Sequence, residues 1–264
     1  EVILSSDHVL NLDYAPASVV IIGGGAIGCE FASYLNEMGS QVTLLEAMPS
    51  LLAGCDKDAA AVVQKLFIKR GMTVLAGASV ESIERKGSKG IVKYADADGK
   101  STKAEVDAVI VSVGRRPRSE DIGITESGIT INDRGYVEVD GNMRTNVAGV
   151  YAVGDLVPTP QLAHVGFAEA MVAIQTILGE DATPIEYDKV PWGIYCSPEV
   201  SFCGMTEEQA KAAGYDIEVK KEGFIGDGRA VILGQAEGFV KLIAEKNGPL
   251  LGVHIVGPWA TELL

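Results

Sequence analysis

Three glycines that separate a short apolar run from an amphipathic segment constrain this chain more than any other feature. The run 19–22 is Val-Val-Ile-Ile, and Gly23, Gly25 and Gly28 then follow at the spacing GxGxxG. Residues 26–38 repeat their apolar side chains at helical intervals. A strand, a glycine turn and a helix in this order predict a dinucleotide-binding α/β unit. Gly23 would permit the tight turn, Gly25 the approach of a pyrophosphate and Gly28 the close packing of the helix.

An acidic residue stands where such a unit binds a ribose. Glu46 closes the second apolar run, 41–46, and lies 18 residues after Gly28. Its carboxylate is expected to accept hydrogen bonds from a ribose 2′-hydroxyl and to repel a 2′-phosphate, and residues 47–49 supply no arginine to receive one. The fingerprint therefore favours NAD or FAD over NADP, and by itself it leaves NAD and FAD open.

The order of strand and helix patterns predicts three regions along the chain. Residues 1–115 are predicted to form a doubly wound, Rossmann-like α/β domain. An antiparallel β-meander is expected near the hairpin 90–105, followed by a last buried strand over 104–114. Residues 116–184 are rich in loops, and residues 185–264 are predicted to begin an α+β domain that is not complete.

The second and third regions have fewer regular elements. In the second region, short strands are predicted at 136–140 and 149–155, and a helix at 166–178. In the third, a helix is predicted over 206–213. Thr206 would be its N-cap, and the glutamine three residues later completes the pattern of a capping box.

The charge balance argues against two classes of partner. The chain has 36 acidic and 22 basic residues and a net charge of −14, so it would repel nucleic-acid phosphates and anionic lipid. No apolar run reaches the roughly 18 residues that a membrane span needs. The four cysteines stand at positions 29, 55, 196 and 203 without a CxxC spacing, which favours buried thiols over a metal site. With no secretion signal at the start, a reducing cytoplasm is the expected location.

Both ends of the chain have the character of cut positions. The sequence opens at Glu1 without an initiator methionine, and it stops at GPWATELL, which is typical of the first turn of a helix. We therefore expect a fragment of a longer protein.

Three segments carry a family resemblance: VSVGRRP at 111–117, TNVAGVYAVGD at 145–155 and QLAH at 161–164. Together they resemble the pyridine nucleotide–disulfide oxidoreductase family. The resemblance implies an FAD domain with an inserted NAD(P) domain, a return to the FAD domain through a segment ending in Gly-Asp, and a dimer-interface domain at the end. Because the glycine fingerprint precedes the Gly-Asp segment, the resemblance assigns it to NAD rather than to FAD.

Within the family, the similarity is greatest to the branch that oxidises dihydrolipoamide. It is carried in order by GGGAIGCEFA, LLEAMPSLL, RGYVEVD, PEVSFCGMTEEQA and LLGVHIVGPWATELL. The implied whole protein is a homodimer that passes electrons from dihydrolipoamide through a disulfide and FAD to NAD⁺. Its implied partner is the lipoyl domain of a 2-oxo acid dehydrogenase or glycine cleavage complex. A reductase of the mercuric reductase or NADH oxidase type, and a non-catalytic nucleotide-binding module, stay open as alternatives.

The resemblance implies a set of NAD contacts. Glu46 would bind the adenosine ribose, Val80 would lie near the adenine, and Gly114 near the nicotinamide. Glu30 would lie at the junction of nicotinamide and flavin, or would be a solvated first-turn carboxylate favoured by the helix dipole. The full set is Gly23, Gly24, Gly25, Ala26, Ile27, Gly28, Glu30, Glu46, Val80 and Gly114.

The implied FAD contacts lie in the second region. Asp155 would bind the ribityl chain, and residues 161–164 would offer backbone groups to the isoalloxazine ring at a helix start, where N–H groups favour negative charge on a reduced flavin. His164 would act through its backbone. The full set is Asp155, Gln161, Leu162, Ala163 and His164.

Two parts of the implied chemistry have no counterpart in this chain. The family's redox-active disulfide is a CxxxxC pair and its catalytic base is a histidine in an HPT-type motif, and neither pattern occurs in the 264 residues. A second GxGxxG is also missing. We therefore expect no catalytic residue here, and a chain that alone binds NAD(H) weakly, binds no FAD and does not turn over substrate.

Overall fold

The computed structural model describes residues 2–264, and these residues form two compact units. One unit contains the described residues up to Gly114 together with Pro191–Leu264, and the other is Arg115–Val190. The predicted domain boundaries at 115 and 184 stay a prediction, and Glu1, the first residue of the predicted first domain, lies outside the described residues. The predicted α/β class is confirmed, since the described residues contain a parallel sheet with helices packed on it and further antiparallel sheets.

A parallel sheet forms the first part of the larger unit. The elements in chain order are β1 (Ile3–Leu4), α1 (Ser6–Val9), β2 (Ser18–Ile22), α2 (Ala26–Glu37), β3 (Gln41–Glu46), α3 (Lys57–Lys69), β4 (Thr73–Ala76), β5 (Ser79–Lys86), β6 (Lys89–Ala95), β7 (Ser101–Val106) and β8 (Ala108–Val111). The parallel strands lie in the order β1-β8-β2-β3-β4. On β2, Val19 and Ile21 belong to one core cluster and Val20 and Ile22 to another. The strand is apolar throughout because neither of its faces meets water.

An antiparallel meander, β5-β6-β7, interrupts the parallel sheet between β4 and β8. β6 and β7 form the predicted hairpin. The prediction of one strand over 104–114 is wrong, because its first residues belong to β7 and only Ala108–Val111 form β8. The break falls at Asp107, whose Oδ2 accepts hydrogen bonds from the N–H of Ser18 at 3.0 Å and from its hydroxyl at 2.7 Å. A carboxylate that binds the start of β2 thus divides the apolar run into two strands.

In the smaller unit, α4 (Ala163–Ile177) is the main regular element. It begins three residues before the predicted start at Gly166, because Leu162 already has the extended backbone of an N-cap. Gly166 lies inside the helix and faces a 3₁₀ turn, Gly154–Leu156. A Cβ at Gly166 would lie 3.4 Å from the Cα of Gly154, so the glycine marks a close contact rather than a helix boundary.

The strands predicted at 136–140 and 149–155 are wrong. Regular pairing within residues 115–190 is limited to the bridges Ile131↔Val137 and Arg144↔Tyr151. Polar side chains satisfy the backbone in place of a ladder: Oδ1 of Asn132 accepts the N–H groups of residues 134 and 136, and Oδ1 of Asp140 accepts those of residues 142 and 144. Asn and Asp favour such turns, and here they override the β-pattern of the neighbouring residues.

An antiparallel sheet forms the second part of the larger unit. Its elements are β9 (Trp192–Ile194), β10 (Glu199–Gly204), α5 (Glu207–Ala212), β11 (Ile217–Gly223), α6 (Gly228–Ile232), β12 (Phe239–Glu245), β13 (Leu250–Gly257) and α7 (Ala260–Leu263), with strand order β11-β12-β13-β10-β9. The predicted capping box is confirmed. The hydroxyl of Thr206 accepts the N–H of Gln209 at 3.2 Å, and Oε1 of Gln209 accepts the N–H of Thr206 at 2.8 Å.

A buried ion cluster joins α3 to this sheet within the larger unit. The Nζ of Lys241, on β12, lies 3.0 Å from both carboxylate oxygens of Asp56, and both side chains are 1% exposed. The same Nζ lies 3.1 Å from Asp58 and 2.8 Å from Glu207. Burial by itself lowers the pKa of Lys241, but its hydrogen bonds to the three carboxylates outweigh burial and raise it. The cation therefore stays charged and fixes the start of α3 against the sheet.

Candidate functional site

The glycine turn lies at the carboxyl edge of the parallel sheet, between β2 and α2. Gly23 has φ +106°, and a Cβ there would lie 2.4 Å from the carbonyl oxygen of Ser112. A Cβ at Gly28 would lie 1.8 Å from the carbonyl oxygen of Gly23. These positions exclude every side chain, so the turn can form and α2 can approach the strand end only with glycine at both of them.

Gly25 faces open space at the N-terminus of α2. A Cβ built at this position would meet no atom within 4 Å, and Gly25 is the N-cap, with Ala26 and Ile27 as the first helical residues. The first N–H groups of a helix have no partner inside the helix and carry the positive end of its dipole. The turn therefore fits a pyrophosphate, which needs N–H donors and a close approach to the backbone.

Glu46 ends β3 beside this turn, and its carboxylate is hydrogen-bonded to the backbone. Oε2 accepts the N–H of Gly24 at 2.5 Å, and Oε1 accepts the N–H of Met48 at 2.6 Å. A carboxylate has about four acceptor sites, so roughly two remain for hydroxyl groups. Sequence reasoning identified Glu46 from its spacing but missed that it also holds the glycine turn.

Ser112 belongs to the same turn, although no sequence motif singled it out. Its hydroxyl lies 3.0 Å from the carbonyl oxygen of Ile22 and 3.2 Å from that of Gly23. Because Ile22 pairs with Val111 in the parallel sheet, the residue that follows β8 must lie beside the turn. That register was the signal that could have found it. Gly114 follows two residues later with φ +135°.

Val80 lies near the start of β5, where it pairs with Tyr94 and packs against the apolar cluster under the meander. The chain reaches this strand directly from the Glu46 edge of the sheet, since the N–H of Ala78 donates to the carbonyl oxygen of Glu46 at 2.9 Å. The structure thus brings Val80 to the same side of the fold as the acidic residue.

Glu30 lies beyond the first turn of α2 and is half-buried. Its Oε1 accepts the N–H of Tyr195 at 2.9 Å, which ties α2 to the chain after β9. Glu30 therefore lies outside the first turn and has a backbone partner, and both interpretations of its role, at the nicotinamide–flavin junction or as a solvated carboxylate, stay predictions.

The four cysteines are free thiols that are unsuited to nucleophilic chemistry. Burial raises the pKa of Cys55 and of Cys196 to about 12. Burial also raises the pKa of Cys29 well above its usual range, and that of Cys203 as well. Since the thiolate is the reactive form, these side chains pack in the protein without providing a nucleophile near neutral pH.

In the smaller unit, Asp155 lies in the 3₁₀ turn Gly154–Leu156. Its side chain is exposed, and its Oδ2 lies 3.5 Å from Nη2 of Arg115. Because both partners are more than half exposed, this ion pair contributes little to stability. The carboxylate is thus accessible for another partner.

The other predicted flavin contacts surround the start of α4. Leu162 is the N-cap, and Ala163 and His164 are the first two helical residues. The amide of Gln161 lies 3.4 Å from the hydroxyl of Tyr136. The structure brings this helix start close to the 3₁₀ turn that carries Asp155, through the contact of Gly166 with Gly154.

Residues 2–264 contain neither a metal-binding cluster nor a helix that could cross a membrane. No group of three or more His, Cys, Asp and Glu side chains in that range could hold a metal ion. Among the helices of the same residues, none has an apolar stretch of the length that a membrane crossing requires.

Two family models together match most of the chain. The model described as pyridine nucleotide-disulphide oxidoreductase matches residues 2–170, and the model of that family's dimerisation domain matches residues 190–264. The chain belongs to the pyridine nucleotide–disulfide oxidoreductase family. The resemblance inferred from the sequence is therefore confirmed, and membership places the chain in a family of enzymes.

Similar curated members of this oxidoreductase family carry the name dihydrolipoyl dehydrogenase. The protein from Cupriavidus necator is 38% identical over 266 residues, which cover 100% of this chain and 56% of that protein. The protein from Corynebacterium glutamicum is 40% identical over 268 residues, with 100% and 57% coverage. The chain thus spans little more than half the length of these relatives.

Solved structures of the family have the same fold. The HOCl-induced flavoprotein disulfide reductase RclA from Escherichia coli superposes with a TM-score of 0.90 at 29% identity, over 98% of this chain and 59% of RclA. LpdA from Mycobacterium tuberculosis gives a TM-score of 0.88 at 28% identity, over 98% and 56% of the two chains. The dihydrolipoyl dehydrogenase branch of the family uses FAD and NAD, in agreement with the cofactors expected from the sequence.

Proposed function

We propose that this chain is the NAD-binding and partial FAD-binding portion of a flavin-dependent dihydrolipoyl dehydrogenase. In the whole protein, dihydrolipoamide would lose two electrons and two protons to become the cyclic disulfide, and NAD⁺ would gain a hydride while one proton is released. When bound, FAD supplies the electron transfer between the dithiol and NAD⁺. The relatives at 38% and 40% identity support this choice of substrate by their names.

The observation that carries the NAD assignment is the hydrogen bond from Gly24 to Glu46 beside an open helix N-terminus. The open face of Gly25 would admit the pyrophosphate, and the remaining lone pairs of Glu46 would accept the adenosine ribose hydroxyls. A 2′-phosphate would place negative charge against the same carboxylate, which favours NAD over NADP. Val80 would contact the adenine region, and Gly114 and Glu30 would lie toward the nicotinamide.

The second unit would supply the flavin contacts of this portion. Asp155 would accept hydrogen bonds from the ribityl hydroxyls of FAD, because its carboxylate is exposed and only weakly paired. Residues 161–164 would offer backbone groups at the start of α4, where the helix dipole favours negative charge on the ring. His164 would contribute through its backbone rather than its imidazole.

The proposal extends to the assembly, the partners and the location of the whole protein. The match of residues 190–264 to a dimerisation domain supports a homodimer of the whole protein. A lipoyl domain of a 2-oxo acid dehydrogenase or glycine cleavage complex would deliver the dithiol. The net charge of −14 supports the exclusion of nucleic acid and anionic membranes as partners, and the four free thiols support a reducing cytoplasm.

We also propose that the 264 residues alone are inactive. Catalysis needs a reactive cysteine pair, and the four free cysteines of this chain do not form a CxxxxC pair, while burial raises the pKa of Cys55 and of Cys196 to about 12. The second candidate is a disulfide reductase with another substrate, and it is supported by the similarity to RclA, a flavoprotein disulfide reductase with a TM-score of 0.90 at 29% identity. Turnover of dihydrolipoamide with NAD⁺ by the full-length protein separates the two candidates. Inability to use this dithiol would exclude the first.

The nucleotide assignment is tested by titrating this chain with NADH and NADPH in a calorimeter. NADH is expected to bind more tightly. Glu46→Gln should narrow the difference, because it removes the charge while keeping an acceptor for one of the two N–H groups. Glu46→Ala should narrow it further and weaken NADH as well, since Gly24 and Met48 both lose their acceptor. Equal affinities of the unaltered chain for NADH and NADPH would remove the argument from the 2′-hydroxyl.

A further inference from the structure

A carboxylate with no assigned role is completely buried in the smaller unit. Glu169, on α4, is 0% exposed. Its two carboxylate oxygens accept hydrogen bonds from two neutral donors. Placing a charge in a protein interior is costly unless hydrogen bonds compensate it. A buried acid at such a position therefore needs an explanation beyond packing.

The first partner of Glu169 is the turn that presents Asp155. Its Oε2 accepts the N–H of Gly154 at 2.6 Å, the short distance of a charge-assisted hydrogen bond. Gly154 has φ +73° and is the residue directly before Asp155. The hydrogen bond fixes the peptide between Val153 and Gly154, which is the peptide from which the turn that carries Asp155 begins.

The second partner orients the carboxylate itself. The hydroxyl of Tyr187 donates to Oε1 of Glu169 at 3.0 Å. Burial and then the neighbouring Glu169 raise the pKa of Tyr187, so the phenol remains a proton donor at physiological pH. With Tyr187 on one oxygen and Gly154 on the other, both oxygens of the carboxylate are held by hydrogen bonds.

We propose that Glu169 is a positioning residue for flavin binding, which holds the Gly154 N–H so that Asp155 faces the ribityl chain. The helix α4 packs directly on this turn, which lets the side chain of Glu169 reach the Gly154 N–H. A Cβ added at Gly166 would lie 3.4 Å from the Cα of Gly154. Glu169 would not touch the flavin. The inference rests on the proposed function, because it requires that the whole protein binds FAD through Asp155.

The test uses the full-length protein and measures how fast FAD is released, from the recovery of flavin fluorescence after dilution. Glu169→Ala is expected to release FAD about tenfold faster or more, because leaving a buried donor unpaired costs roughly the 1.4 kcal/mol that equals a factor of ten. Glu169→Gln should stay within about threefold of the unaltered protein, since its amide oxygen can accept the Gly154 N–H.

A double-mutant cycle with Asp155→Ala separates positioning from general loosening. If Glu169 acts through Asp155, then Glu169→Ala should change the FAD release rate by less than about twofold once Asp155 is absent. Tyr187→Phe is the matched control: it removes the other hydrogen bond of the same carboxylate while Gly154 keeps its acceptor. The thermal midpoint of each variant without FAD reports stability independently of binding.

The outcomes are distinct. Unchanged FAD release in Glu169→Ala, release from Glu169→Gln as fast as from Glu169→Ala, or additive effects with Asp155→Ala would each overturn the positioning role while leaving the proposed function intact. Should Glu169→Ala not fold, Glu169→Gln and Tyr187→Phe decide. Both variants keep an acceptor for the Gly154 N–H, so both should release FAD within about threefold of the unaltered protein, and release about tenfold faster from Glu169→Gln would contradict the role. An unaltered full-length protein that purifies without FAD and does not bind it would overturn the proposed function and this inference together.

Discussion

Two turns of this molecule use the same device, a carboxylate that accepts the N–H of a glycine. At the end of β3, Glu46 holds Gly24 at 2.5 Å, and on α4, Glu169 holds Gly154 at 2.6 Å. The first carboxylate is half-exposed and keeps lone pairs available for a ligand. The second is fully buried, and both of its oxygens are used by the protein.

The difference between the two turns indicates that burial determines whether a carboxylate can bind a ligand or only fix the backbone. Where water reaches the group, its charge can be shared with a ligand that arrives later. Where water is excluded, every hydrogen bond must be provided on folding, because an unpaired group would cost free energy at all times. The half-exposed acid is therefore suited to binding, and the buried one to holding a shape.

The largest expected effect concerns a buried carboxylate that is met by a cation instead of by N–H groups. Lys241→Met should lower the free energy of unfolding of the full-length protein by about 3–5 kcal/mol, because Asp56 would stay buried without its counter-charge. Urea denaturation measures this change. Lys57→Met is the control, since its pair with Glu208 is more than half exposed on both sides and should contribute little to stability. Equal losses in the two variants would contradict the role of burial.

The next prediction distinguishes glycines that the glycine turn needs for its conformation from the glycine that it needs to bind NADH. Gly28→Ala should destabilise the protein by about 1–3 kcal/mol or more, because its Cβ would lie 1.8 Å from the carbonyl oxygen of Gly23. Gly25→Ala should leave unfolding nearly unchanged, since its Cβ meets no atom within 4 Å, yet it should weaken NADH by blocking the approach of the pyrophosphate. Denaturation and NADH titration together check the pair. If Gly25→Ala loses stability but keeps its affinity for NADH, Gly25 serves the shape of the turn rather than the ligand, which would contradict the assignment.

A third experiment compares the two carboxylates directly by amide hydrogen exchange. Glu169→Ala should increase exchange at Gly154 by about tenfold or more, because an unpaired buried donor destabilises the closed turn and makes its opening to water more frequent. Glu46→Ala should increase exchange at Gly24 by less, about threefold, because water can replace the carboxylate at a half-exposed position. A larger increase in the exchange rate at Gly24 than at Gly154 would contradict the expectation that the buried hydrogen bond protects its amide more.

The smallest expected effect concerns a buried group that is kept neutral. His254 is 1% exposed, its Nε2 lies 2.9 Å from the carbonyl oxygen of Met205, and burial lowers its pKa although Asp56 acts against this. The imidazole of His254 takes up a proton more readily in the unfolded chain than in the folded protein. The contribution of His254 to the free energy of unfolding is therefore present above its ordinary pKa of about 6.5 and declines as the pH falls below that value.

His254→Phe should therefore reduce the loss of thermal stability between about pH 7 and pH 5, while Phe keeps the stacking on Phe202. Titration of Glu207 does not contribute to the change in stability between pH 7 and pH 5. Hydrogen bonds from Lys211 and Lys241 lower its pKa to about 2, so its contribution is lost only at more acidic pH. If thermal stability falls with pH equally in the variant and in the unaltered protein, His254 does not contribute to this loss of stability.

The sequence predicted the fold best where local patterns and tertiary structure agree. The glycine turn, the strand that ends at Glu46 and the capping box at Thr206 all depend on residues close together in the chain, and the structure confirms these elements. The strand predicted at 136–140 failed because Asn132 and Asp140 satisfy the backbone locally in turns, and the strand predicted at 149–155 is reduced to the bridge at Tyr151.

The candidate site was only partly predictable for a related reason. Glu46 was found because its spacing from the glycines follows from the geometry of one βαβ unit. Glu169 and Ser112 were missed, since their importance comes from contacts with residues 15 and 89 positions away. No periodicity or motif reports such a contact, whereas strand register does so once the sheet is known.

The ion cluster around Lys241 has a consequence for exchanging parts between relatives. Its charges come from separate stretches of chain: Asp56 and Asp58 at the start of α3, Glu207 at the start of α5, and Lys241 on β12. A chimaera that replaces residues 191–264 by those of another family member inherits Asp56 from one parent and the residue at position 241 from the other. Compatible parents can therefore be chosen by requiring a cation at position 241 wherever position 56 is acidic.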